Sequence, residues 1–134
     1  MATIIRWKQK TLFEVQARGH DLLCDQPKED GGDDLGVEPL EFLDAALGTC
    51  IGVYLSRNLA LHDIPADGLC IEVSREIVKE HPRRVGSFKV DIRLPATVDE
   101  RRRKALLRAA SACSVHHTFE HPPKIEINFE TGAR

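Results

Sequence analysis

The run from Pro39 to about Leu61 constrains the fold of this chain more than any other stretch. Its apolar residues, Leu40, Leu43, Leu47, Cys50/Ile51 and Tyr54, recur at the helical period. Pro39 suits a first helical turn, where its missing N–H has no intrahelical partner, and Glu38 and Glu41 complement the positive end of the helix dipole. The opposite edge is made of small residues: Ala45, Ala46, Gly48, Thr49 and Gly52. A glycine inside a helix costs roughly 1 kcal/mol relative to alanine, so close packing is expected there, against a second helix or another subunit. In a chain of 134 residues, this helix leaves room for one core and one domain, 1–134.

The flanking sequence reads as antiparallel strand. Residues 3–7, 11–17 and 20–24 suit a three-stranded meander, with Gly19 free to take a positive φ in the second turn. Residues 25–37 shift to Asp, Glu, Gly and Pro and are expected to form a mobile acidic loop, too polar to pack. Beyond the helix, residues 69–79 pair through a turn at 80–84 with a strand in which Phe88, Val90, Ile92 and Leu94 alternate with polar residues.

Thr97 is the expected N-cap of a second helix, with Glu100 at capping-box spacing, and the helix carries Ala105, Leu106, Ala109, Ala112 and Cys113. It ends or re-forms near Cys113, Pro122-Pro123 stops any helix, and Ile125, Ile127 and Phe129 alternate as a last strand. The order βββ-α-ββ-α-β is that of an α+β fold, not a doubly wound sheet.

A net charge of −2 argues against a nucleic-acid binder, and Arg101-Arg102-Arg103-Lys104 reads as a solvated first helical turn. No apolar window is long enough to span a bilayer and no signal peptide is evident, so a cytoplasmic protein with no membrane partner is expected. In a reducing compartment the four cysteines, Cys24, Cys50, Cys70 and Cys113, are better read as thiols than as a disulfide framework.

Cys50 and Cys113 share a setting, each at the end of an alanine-rich helical run with small or hydroxyl neighbours. Small neighbours leave room for a substrate to reach a sulfur, although free cysteine is also a common core residue. Cys113 has His116 and His117 three and four residues on, where a protonated imidazole would favour a thiolate. The same histidines suit a solvated helix end. Cys113, His116, His117 and His121 also make four potential zinc ligands within nine residues, though not at a familiar structural-zinc spacing. Cys24 and Cys70 read as strand thiols without polar company. No phosphate loop or serine nucleophile elbow is present in the sequence.

Three stretches together resemble the OsmC/Ohr family of thiol-dependent hydroperoxide reductases: Glu38-Pro39-Leu40-Glu41-Phe42-Leu43-Asp44-Ala45-Ala46-Leu47-Gly48-Thr49-Cys50, then Ala112-Cys113-Ser114-Val115-His116, then Pro122-Pro123-Lys124-Ile125. The resemblance implies an intertwined homodimer with long central helices wrapped by antiparallel sheets. It also implies that Cys50 is the peroxidatic nucleophile, acting on organic hydroperoxides or hydrogen peroxide in oxidative-stress defence. Cys113 would resolve it as a disulfide, an external dithiol would reduce that disulfide, and no cofactor is implied. The chain departs from the family pattern at Leu40, where well-characterised members carry a glutamate ten positions before the cysteine; here the nearest acid is Glu41. The arginine that pairs with that glutamate has no motif to fix it, and Arg18 is the candidate by chain order. The departure keeps a second reading open, a non-catalytic OsmC-like module that binds a small ligand or senses oxidants through the same thiols.

Overall fold

The computed structural model describes residues 1–132. It is a mixed α+β structure of antiparallel strands and three helices: β1 (Ile4–Gln9), β2 (Leu12–Ala17), β3 (His20–Cys24), α1 (Pro39–Leu61), β4 (Cys70–Val78), β5 (Arg84–Arg93), α2 (Glu100–Ser111) and α3 (Ser114–Glu120). The chain clusters into two compact units. One comprises residues 1–49 and 70–93, the other residues 50–69 and 94 onward, and α1 contributes to both.

In the first unit β1, β2 and β3 form the expected meander, with Ile5 opposite Val15 and Val15 opposite Leu22. Arg18 and Gly19 join β2 to β3, both with positive φ, the backbone that a two-residue hairpin turn requires. β4 and β5 form a second hairpin, in which Ile71, Val73, Phe88, Val90 and Ile92 are partly buried while their neighbours are exposed. Gly48 answers to this hairpin. A Cβ there would lie 3.0 Å from the Val73 methyl, so the glycine lets α1 approach β4.

Residues 25–37 are not the loose acidic loop that their composition suggests. Asp25 is 2% exposed. Its carboxylate accepts from the Thr11 hydroxyl at 2.7 Å and from the backbone N–H groups of Gln26, Asp33 and Leu35 at 2.8, 3.2 and 3.2 Å. Gly32 and Gly36 pack where a Cβ would strike the carbonyls of Gln26 and Leu23. One carboxylate thus satisfies the donors of a whole turn, which outweighs the loop's polarity.

In the second unit the buried apolar side chains are Ile51, Leu55 and Leu59 from α1 with Leu106 and Ala110 from α2, the i, i+4 spacing of one helix face each. α2 begins later than the Thr97 cap would place it. Asp99 is the N-cap, its side chain accepting from the Arg102 N–H at 2.7 Å. An acidic cap two residues on complements the helix dipole, which threonine cannot do.

The last expected strand does not form: residues 122–131 pair with no strand among the described residues. Ile125, Ile127 and Phe129 alternate as a strand should, yet stand 80%, 73% and 91% exposed. A strand is defined by its ladder, and alternation without a neighbouring edge leaves both backbone and side chains in water.

Candidate active site

Cys50 and Cys113 come together within the second unit. Cys50 sits midway along α1 and is partly buried; Cys113 is fully buried, in the short break between α2 and α3. The break arises because Ala112 ends α2 and Cys113 turns to non-helical dihedrals (φ −59°, ψ 126°). Cys113 thereby becomes the N-cap of α3, its sulfur accepting from the His116 N–H at 3.4 Å. The two thiols are close enough to influence each other's ionisation, and the Ser114 and Val115 amides also favour the Cys50 anion. One turn further along α1, the Tyr54 hydroxyl meets the Ser114 hydroxyl at 3.4 Å, which ties the start of α3 to α1.

These contacts make the two sulfurs unlike. Burial pushes the Cys50 thiol up, but the Cys113 S–H and the Val115 and Ser114 N–H groups outweigh it and hold Cys50 below the ordinary thiol value. Burial pushes Cys113 up as well, and its role as donor to Cys50 adds to this; the His116 and Val115 N–H groups only partly offset the rise. Of the two, Cys50 is therefore the more readily ionised sulfur and Cys113 the less.

The histidines play a different part from the one that their spacing suggests. The His116 imidazole does not activate a thiol: its Nε2 pairs with Glu120 at 3.0 Å, and it is the His116 amide that serves Cys113. The zinc reading changes too. Cys113 is buried at the start of α3, whereas His117, Glu120 and His121 gather exposed at its other end, the one metal-capable group among the described residues.

Glu41 lies at the N-terminus of α1, its carboxylate accepting from the Glu38 N–H at 2.9 Å, and acts as a cap. Arg18 stands exposed in the β2–β3 turn. The arginine that pairs with acids in the first unit is instead Arg75. It is held by Glu38 at 2.6 Å and by Asp44, with only 19% of its side chain exposed. This residue was missed, although the sequence carried a signal: Arg75 occupies the apolar register of β4, in phase with Ile71, Val73 and Ile77. A charge on the inward face of a strand calls for a partner.

A family model for OsmC-like proteins matches residues 31–128. No curated protein matches the chain. Among solved structures, a Psychrobacter arcticus protein assigned to the osmotic stress and detoxification response superposes with a TM-score of 0.80 at 18% identity, covering 88% of this chain and 87% of its own. The OsmC-like protein of Mycoplasma pneumoniae gives 0.76 at 14% identity, with 90% and 87% covered. OhrB, the organic hydroperoxide resistance protein of Bacillus subtilis, gives 0.63 at 15% identity, with 91% and 93% covered. These likenesses establish the fold. With the family model spanning most of its length, the chain belongs to the OsmC-like family.

Proposed function

We propose that this protein is a cysteine-based peroxidase acting on organic hydroperoxides or hydrogen peroxide. The observation that carries the reading is the unequal thiol pair, a partly buried Cys50 whose ionisation is favoured beside a fully buried Cys113 whose ionisation is disfavoured. The Cys50 thiolate attacks the terminal peroxide oxygen, the O–O bond breaks, and the departing alkoxide takes up a proton as alcohol, or as water from hydrogen peroxide. Cys50 is left as a sulfenic acid. Cys113 attacks that sulfur, a water molecule leaves, and a Cys50–Cys113 disulfide forms. An external dithiol then reduces the disulfide by thiol exchange, and no cofactor enters. The hydroperoxide resistance protein among the structural neighbours fits this reading.

The donors that favour the thiolate are the Cys113 S–H and two backbone amides, which takes over the task that a glutamate at the Leu40 position would share. A second reading, oxidant sensing or small-ligand binding without turnover, is favoured by that same Leu40 and by the use of Glu41 as a cap. Cumene hydroperoxide turnover with a dithiol reductant, in wild type and Cys50→Ser, separates the two. A wild type no faster than the variant sinks the peroxidase reading, and a disulfide formed once per chain without turnover supports the sensor.

The working form is proposed to be a homodimer in the cytoplasm. Ala45, Ala46, Thr49 and Val53, all small or apolar, remain exposed along α1. Such an uncovered face calls for a partner. The bare strand β1 and the unpaired Ile125, Ile127 and Phe129 make the same demand. No helix among the described residues is long and apolar enough to cross a membrane, so a lipid surface is not the proposed cover.

A further inference from the structure

We propose that the C-terminal end of α3 binds a divalent transition ion of the zinc type through His117, Glu120 and His121. Each offers one donor atom, and the three donors already lie within 4.8 Å of one another. The sequence His117-Thr118-Phe119-Glu120-His121 explains the convergence. Two histidines at i and i+4 share one helix face, and a glutamate one residue before the second falls on the same turn. Paired helical histidines at this spacing recur as zinc ligands, and a carboxylate beside imidazole suits a borderline ion as a third.

The detailed contacts sharpen the assignment. His121 Nδ1 lies 3.3 Å from the His117 carbonyl. A carbonyl can only accept, so Nδ1 carries the hydrogen and Nε2 keeps its lone pair for a metal. A backbone carbonyl holding the far nitrogen of a ligating histidine is the usual outer-sphere arrangement. The two glutamate oxygens are also divided, Oε2 lying 3.5 Å from His117 Nδ1 and Oε1 lying 3.0 Å from His116 Nε2. His116 thus steadies the carboxylate from behind while its other oxygen faces the cluster. Zinc bonds to nitrogen and oxygen of about 2.1 Å put neighbouring donors about 3.4 Å apart in a tetrahedron, so the donors need to close by roughly 1 Å. All three side chains are exposed. Water completes the shell.

This site lies at the opposite end of α3 from Cys113, and it stands whether or not the thiols turn over peroxide. Calorimetric titration of zinc ion alone into the full-length reduced protein tests it. One equivalent is expected to bind wild type, with affinity falling about tenfold or more in His117→Ala and in His121→Ala. Equal affinity in the double variant, or no binding to wild type, overturns the proposal. Cobalt titration of wild type gives a readout independent of any variant's folding. A visible spectrum without sulfur-to-metal charge transfer supports the site, and a thiolate band at one equivalent places the ion on cysteine and overturns it.

Discussion

Cys50 and Cys113 differ in what their sulfur atoms receive. The Cys113 thiol and two amides favour the Cys50 anion, while burial and Cys50 disfavour the Cys113 anion, and Cys113 is walled off from water. Because Cys50 lies below the ordinary thiol value and Cys113 above it, the Cys50 anion forms first as pH rises. Iodoacetamide labelling followed by peptide mass spectrometry is expected to show Cys50 reacting at a lower pH midpoint than a free cysteine, with Cys113 the slower of the two. Replacing Cys113 with alanine removes the S–H donor and is expected to move the Cys50 midpoint upward, whereas serine keeps a donor and moves it less. The candidate residues were legible in the sequence because both sit in small-residue settings, but their inequality was not. It depends on Cys113 leaving the helix to become a cap, a change of two dihedral angles that no spacing rule announces.

At the scale of elements, α1 was readable to its last residue, since its proline start and helical period agree with each other and with the structure. The loop before it was not, because composition counts polar groups without saying which of them meet. Asp25 lies below the ordinary carboxylate value, chiefly through the Thr11 hydroxyl, with the Leu35, Gln26 and Asp33 amides adding to this and burial opposing it. A depressed acid pKa stabilises the folded state above the unfolded carboxylate range, and that stability is lost as pH falls through the folded value. Urea midpoints measured from neutral to acid pH are expected to drop on the acid side, and Asp25→Asn to lower the neutral midpoint and flatten the drop. α2 offers a cleaner contrast. Asp99→Ala is expected to cost about 1 kcal/mol in denaturant unfolding, and Thr97→Ala close to nothing, which would confirm where the cap lies. Arg75→Met is expected to cost about 1.5–3 kcal/mol, because it leaves the part-buried Glu38 and Asp44 without their cation.

For the whole molecule, the alternation at Ile125, Ile127 and Phe129 shows where sequence reading stops. The pattern reads as a strand, but no edge among the described residues receives it. The same holds for the α+β class, which follows from the order of elements, while the exposed side of α1 follows only from its surroundings. Val53→Asp, on that exposed side, is expected to shift sedimentation from dimer to monomer; an unchanged species would remove α1 from the proposed interface.

An uncovered face on α1 also ties folding to mass action. If each chain covers the exposed Ala45, Ala46, Thr49 and Val53 face of α1 only by meeting another, unfolding releases two chains from one particle, and dilution alone favours the unfolded state. The melting temperature is then expected to climb with protein concentration, by an increment that scanning calorimetry can follow across a hundredfold dilution series. A melting temperature that stays constant over that series would mean that one chain covers α1 by itself.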